Sequence, residues 1–357
     1  MNRFPIVVMP DIDATNTPVE ELLERQDLYF SYLLKESPEL GKVILFYTSK
    51  KSYQGRKIFH SIEIVKIGGR FTHWLLMPFP ITFYLLKNGI RPLFLVAGTP
   101  FQPYFVALAL KFLFRTVNIQ VAVHGELSGI NSSGFSARLR FLFLKSTLRF
   151  ASLIRFVSKK QSNDFSHLVT QNQKVVVTPV PIQIPLDSIK VSVGNGLGFV
   201  GRIQSERGIS EWVEIAQKFP QVKKVIVGDG PDRLRMQQAL PSAEFKGFLA
   251  NSELDEVWPQ IKVLLSSAPF ESYGMALREA LLRGIPVVSR ENAGSRELFQ
   301  IAPELVKLYS NTDEAVNAIR GFIEKIPERE KFEDFRNGFS QTQEASLRDL
   351  ARTWLEL

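Results

Sequence analysis

The sequence predicts an α/β protein of two doubly wound domains, each a parallel sheet with helices on both faces. Three observations carry this. Short β-rich runs alternate with helical stretches through the first 180 residues, the alternation stops at a proline-rich segment, and it restarts beyond residue 195. Alternation of this kind marks parallel sheets, because parallel neighbours need long crossover connections. A chain of 357 residues also favours two cores over one.

Taken in order, the predicted strands of the first half are residues 5–9, 42–47, 62–67, 93–97, 119–124, 153–158 and 174–179. Helical stretches lie between most of them, 18–35 and 104–115 among them. Residues 179–185 read Pro-Val-Pro-Ile-Gln-Ile-Pro and lead into a polar stretch ending at Asn195, the composition of a linker. Strands resume at 198–201, 222–228, 243–246, 263–266, 285–289 and 305–309, with helices at 314–325 and 343–355. The expected organisation is a first domain at 1–180, a linker at 181–195, a second domain at 196–340 and a final helix at 341–357.

Apolar residues make up 45% of the chain, enough for a core in each domain. The absence of cysteine excludes a disulfide framework and thiolate metal sites, and fits a reducing, cytoplasmic setting. The opening Met-Asn-Arg-Phe-Pro-Ile-Val-Val-Met-Pro reads as a first buried strand; its apolar run is too short, and its proline too early, for a secretory leader. Residues 74–86 are apolar but short and carry Pro78 and Pro80. Residues 93–114 are interrupted by Pro100, Gln102, Pro103 and Lys111. A membrane span needs about 20 continuous apolar residues, so none is expected. The net charge of +8 is uneven: residues 1–180 hold 22 Lys and Arg against 11 Asp and Glu, and residues 181–357 hold 22 against 25. The basic half points to an acidic partner. No recognisable nucleic-acid motif accompanies it.

The most informative stretch is 269–297. Glu271 and Glu279 stand seven residues apart, with a small-residue turn, Ser272-Tyr273-Gly274, between the first of them and a helix expected over 275–283. Ala276, Leu277, Ala280 and Leu281 would form its apolar face. Gly284 would close it, and Ile285-Pro286-Val287-Val288 would open the next strand. The free N–H groups at the start of that helix suit a phosphate or diphosphate. Either glutamate alone could be an ordinary dipole-complementing or solvated charge; the ordered combination is harder to dismiss. Two further loops follow strands. Gly201-Arg202-Ile-Gln-Ser-Glu-Arg207-Gly208 offers two guanidiniums able to grip phosphate oxygens. Val227-Gly228-Asp229-Gly230-Pro231 is either a plain turn or a place where backbone approaches a ligand. His124 ends a predicted strand. The remaining histidines, His60, His73 and His167, show no metal-ligand spacing, and no metal is expected.

Residues 271–288 resemble the Glu-seven-Glu signature of GT-B glycosyltransferases, in particular glycosyltransferase family 4, whose pattern runs E-G-F-G-x-x-x-x-E-A-x-A-x-G-x-P-V-V. Ser272 and Tyr273 stand where the pattern has Gly and Phe. Residues 201–208 resemble the family's G-R-x-x-x-x-K-G loop with Arg207 in place of Lys, residues 227–231 its V-G-x-G-P turn, and the string Val123-His124-Gly125 the place of a family histidine facing the donor sugar. The resemblance implies a GT-B fold, two Rossmann-like domains facing across a cleft with the last helix crossing back to the first. It implies retaining, metal-independent transfer of a sugar from a nucleotide-diphosphate sugar to a saccharide or lipid-linked acceptor, in cell-surface polysaccharide or glycolipid synthesis, without a cofactor.

By the same resemblance Glu271 holds the sugar hydroxyls and Glu279 the ribose, while Arg202, Arg207 and the turn Ser272-Tyr273-Gly274-Met275 stabilise the diphosphate. Gly201, Gly228 and Gly230 let backbone close on the donor, and His124 faces its sugar. Two features stand apart. The loop 11–18 lacks the family's glycine pair, which leaves open a catalytically silent subunit that binds sugar nucleotide or glycan and recruits a partner. Residues 138–160 carry Arg138, Arg140, Lys145, Arg149, Arg155, Lys159 and Lys160 without an acid, beside an apolar stripe of Leu139, Leu142, Phe143 and Phe150. They are either a buried helix with a basic solvent face or a peripheral contact with the anionic inner face of a membrane.

Overall fold

A computed structural model describes residues 2–9, 19–48, 58–67, 74–98, 102–124, 141–142, 144–145, 148–182 and 194–357. The chain divides into two compact units, one of Met1–Pro181 with Gln343–Leu357, the other Ile182–Thr342.

The first unit is built from β1 (Asn2–Met9), α1 (Val19–Glu36), β2 (Val43–Tyr47), β3 (Ile58–Phe59), β4 (Ile62–Lys66), α2 (Pro78–Lys87), β5 (Ile90–Ala97), α3 (Gln102–Leu113), β6 (Asn118–Val123), β7 (Leu153–Phe156), α4 (Lys159–Asp164) and β8 (Lys174–Val177). Its sheet runs β3-β4-β2-β1-β5-β6-β7-β8. All neighbours pair in parallel except the two-residue β3, which pairs antiparallel with β4 through a turn where His60 takes φ 48°. That edge hairpin is too short to leave a periodicity in the sequence. The central strands are buried on both faces: β2 shows no exposed position, as parallel strands covered by helices require. One face packs on α2 and α3 through Met77, Ile81, Leu85, Tyr104 and Leu110. The other packs on α1 and the chain's last residues through Tyr29, Phe30, Leu347 and Trp354.

The second unit contains β9 (Gly196–Val200), α5 (Ile209–Gln217), β10 (Lys223–Val227), α6 (Arg233–Ala239), β11 (Glu244–Gly247), α7 (Asn251–Val257), β12 (Ile261–Ser266), α8 (Met275–Leu281), β13 (Val287–Arg290), α9 (Ala293–Ile301), β14 (Val306–Tyr309) and α10 (Thr312–Glu324). Its sheet is wholly parallel in the order β11-β10-β9-β12-β13-β14. Numbered within the unit, this is 3-2-1-4-5-6. Winding therefore reverses between β9 and β12, and such a switch point opens a crevice at the carboxyl ends of the strands.

The last helix, α11, runs unbroken from Arg329 to Leu355, longer than the segment 343–355 read from the sequence. The helix α8 ends at Leu281, short of the expected 283. Its buried positions are Leu277, Arg278, Ala280 and Leu281, so Arg278 occupies the inner face and Ala276 only its margin. Within 138–160, Leu144 and Leu148 enter the core while Leu142 and Phe150 are exposed; Arg138, Leu139, Arg140 and Phe143 lie outside the described residues, as does the loop 11–18.

Candidate functional site at the switch point of the second unit

Three loops leave the carboxyl ends of adjacent parallel strands: residues 201–208 after β9, 228–232 after β10 and 267–274 after β12. They are held backbone to backbone. The Gly201 N–H donates to Val227 O at 3.0 Å, and the Ile203 N–H to Asp229 O at 3.0 Å. A side chain on Gly228 would put its Cβ 1.8 Å from Gly201 O, and one on Gly230 would put it 2.1 Å from Ile203 O. Both glycines have positive φ. Their glycine character is therefore explained by packing of the two loops on each other. Asp229 serves this turn: its Oδ1 accepts the Gly230 N–H at 2.8 Å.

The loops after β9 and β12 meet across the switch point. Gly208, in the left-handed region at φ 69°, lies so close to Ser267 that an added Cβ would come within 2.1 Å of Ser267 O. The Ser267 hydroxyl donates to Arg207 O at 3.0 Å. Above these contacts the Arg207 Nη1 pairs with the Glu271 carboxylate, both side chains partly open to solvent. Two residues assigned to different parts of the donor are thus ion-pair partners, which their 64-residue separation concealed. Arg202 is exposed on the same loop and makes no ion pair among the described residues.

The turn after Glu271 is clamped from two sides. Gly294, in the first turn of α9, donates its N–H to Glu271 O at 2.7 Å, and a Cβ there would meet Tyr273 backbone at 2.8 Å. The helix α9 is itself fixed by Asn292, whose Oδ1 accepts the Ser295 N–H at 2.8 Å while its Nδ2 reaches Ala268 O at 2.9 Å. On the other side the Arg278 guanidinium stacks on the Tyr273 ring, 3.7 Å from its centroid, and Nη2 donates to Glu297 at 3.4 Å. Arg278 is buried, and its Nη1 has no hydrogen-bond partner among the described residues. Burial lowers its pKa, opposed by Tyr273, Glu297 and Glu271. The helical pattern in the sequence gave no sign of a buried cation here.

Ser272, Tyr273 and Gly274 are buried, and Met275 and Glu279 half-buried. Gly274 takes φ 74° as it turns the chain into α8. Glu279 lies further along that helix, its carbonyl accepting from Arg283 at 3.2 Å. His124 belongs to the first unit, immediately beyond β6, and is exposed. Desolvation by surrounding protein, then the charges of Arg155 and Arg25, push its imidazole below the usual range, opposed by the Gly98 backbone.

Residues 191–336 match the family profile described as Glycosyl transferases group 1. A GDP-mannose-dependent alpha-mannosyltransferase of Mycobacterium tuberculosis is 37% identical over 102 residues, 29% of this chain and 27% of that protein. One from Mycolicibacterium smegmatis is 30% identical over 159 residues, 44% of this chain and 39% of that protein. The matches thus span well under half of these relatives. Among solved structures, Anabaena Alr3699/HepE in complex with UDP superposes with TM-score 0.70 at 16% identity, covering 99% of this chain and 100% of that one. Sucrose-phosphate synthase from Thermosynechococcus elongatus gives TM-score 0.75 at 16% identity, covering 99% of each. The fold is that of GT-B glycosyltransferases.

Proposed function

We propose, taking the second unit as a group 1 glycosyl transferase domain on a GT-B fold, that this protein transfers a sugar from a nucleotide-diphosphate sugar to a saccharide or lipid-linked acceptor. The observation that carries the reading is the Arg207–Glu271 pair at the β9/β12 switch point, where open α/β sheets bind ligands. A donor diphosphate entering there meets the exposed Arg202 and draws on Arg207, leaving Glu271 to accept hydrogen bonds from sugar hydroxyls. Glu279 holds the ribose.

Transfer forms a bond between the anomeric carbon and the acceptor oxygen and breaks the bond from that carbon to the phosphate oxygen. The acceptor proton passes to the leaving phosphate, so no protein base is needed on the reacting face. Configuration is retained and no metal is required. The two guanidiniums stabilise the charge that grows on the diphosphate, electrostatic preorganisation of the kind that dominates many enzymes. The protein works at the cytoplasmic face of a membrane, with residues 138–160 in peripheral contact, in cell-surface polysaccharide or glycolipid synthesis.

A thermal-shift panel of nucleotide sugars tests the reading. A ligand at a hundred times its dissociation constant adds about 2.7 kcal/mol. Transfer with the stabilising donor should survive a chelator. If neither nucleotide sugars nor nucleoside diphosphates stabilise the protein, the reading fails.

A further inference from the structure

We propose that the outer face of α2 and α3 in the first unit is a membrane-insertion surface, which buries aromatic and leucine side chains in an anionic lipid bilayer. On α2, Ile81 and Leu85 enter the core, while Phe79, Phe83 and Leu86 recur at helical spacing on the opposite side, 72%, 68% and 59% exposed. Phe112 in the last turn of α3 is 81% exposed. Ten of the sixteen exposed large apolar side chains of the described residues lie on residues 75–113, 142 and 150. Beside these exposed side chains, Ile81, Leu85, Leu110, Leu144 and Leu148 are buried in one core cluster on one face of the first sheet, and α2 packs beside α3. Isolated exposed leucines need no explanation; a concentration on one layer marks an interaction surface.

Charge decides what the surface meets. From Ile64 to Gly125 the chain contains no Asp or Glu. Between Glu63 and Asp164 thirteen Lys and Arg face a single acid, Glu126. Lys87, Arg91, Arg115, Lys145 and Arg149 are exposed. A protein partner would ordinarily be matched by charges of both signs, whereas exposed apolar side chains on a stretch of chain whose own charges are nearly all cations fit lipid tails beneath anionic headgroups. No helix of the described residues is long and apolar enough to cross a membrane, so the contact is to one leaflet. The cations of residues 138–160 supply part of the electrostatic attraction; the exposed side chains of α2 and α3 add an apolar contact to it. It lies in the first unit and stands without the transferase reading.

The test uses the full chain and vesicles of phosphatidylcholine alone or with about a third phosphatidylglycerol, the mixed composition setting the surface charge. The parent protein should float with anionic vesicles, more weakly as salt screens the cations, yet keep a salt-resistant fraction from the inserted rings. Phe79→Ser, Phe83→Ser and Phe112→Ser should each lower vesicle affinity on the order of tenfold, with unchanged melting temperature because these rings are already exposed. A Phe83→Trp variant supplies a readout that does not depend on those substitutions being tolerated. Its added fluorescence should be quenched by brominated lipid. Parent protein that ignores both vesicle types overturns the proposal. So does binding abolished by salt and untouched by the serine variants, or a concentration-dependent dimer in sedimentation that those variants dissolve.

Discussion

The Arg278 guanidinium lies 3.7 Å from the centroid of the Tyr273 ring, inside the turn that presents Glu271. A buried arginine that leaves one nitrogen without a partner among the described residues is a poor stabiliser, since its desolvation is only partly offset. Its value is in fixing the turn. Arg278→Ala should lose about 2–4 kcal/mol, from the cavity and the lost stack. Arg278→Met keeps most of the volume, so its stability should fall far less. Both variants should lose turnover while nucleoside diphosphate affinity persists. Denaturant unfolding beside steady-state kinetics checks this, and a methionine variant with parental turnover would remove Arg278 from the mechanism.

The ion pair at the switch point makes a second prediction. Arg202→Ala and Arg207→Ala should each cut turnover about a hundredfold, mainly through the chemical step, because diphosphate charge peaks in the transition state. Glu271→Ala should spare binding of free nucleoside diphosphate, whereas Glu279→Ala should weaken it by leaving a ribose contact unpaired. Unchanged turnover in both arginine variants would place the donor elsewhere.

His124 gives a pH dependence. Its folded-state pKa is depressed below the unfolded value of about 6.5. The stability linked to it is therefore full above that value and is lost as pH falls from about 6.5 through the folded pKa. The His124 ring resonances should stay those of neutral imidazole between pH 8 and 6. A His124→Asn variant should lose less stability on acidification than the parent. A normal titration midpoint would show that neither desolvation nor the neighbouring guanidiniums act on the ring.

Glycine substitutions separate turn chemistry from helix propensity. Gly228→Ala forces a Cβ onto the Gly201 carbonyl at positive φ, whereas Gly321 in α10 has open space around its Cβ direction. Gly228→Ala should destabilise the second unit by more than about 2 kcal/mol, as overpacking and backbone strain add. Gly321→Ala should stabilise by up to about 1 kcal/mol, the helix propensity difference. Thermal melts of the two variants should move in opposite directions.

Much of this was legible in the sequence because it is local. Apolar runs mark the central strands of both sheets, and Gly274 and the Glu271 turn announce themselves by order and spacing. Strand order is not local, so the β9/β12 switch point could not be read. Nor could the pairing of Arg207 with Glu271 across it. Arg278 went unremarked for a different reason: helical periodicity assigns faces by polarity, and a cation buried by stacking on Tyr273 breaks that rule. The final helix was read short because residues 329–342 are mostly polar, and polar helices leave little apolar periodicity.

The end of α11 supplies the last prediction. Trp354 stacks on Phe30 at 4.9 Å and Phe94 at 5.3 Å between centroids, and its indole N–H donates to the buried Gln120 on β6. Asn118 donates to Leu357 O at 2.6 Å, and Thr178 to Ser346 O at 3.2 Å. The last fifteen residues are thus part of the first unit's core, reached through side chains from three separate strands or strand ends. Trp354→Ala should cost about 3–5 kcal/mol for the ring, and more for the stranded Gln120 amide. Trp354→Phe restores most of the stack but not the hydrogen bond, and should recover all but about 1–2 kcal/mol. Hydrogen exchange localises the effect: amides of β6 and α1 should lose protection in Trp354→Ala, while those of β9 to β14 keep theirs. Equal loss of protection in both units would mean that the helix end stabilises the chain as a whole and not the first unit's core.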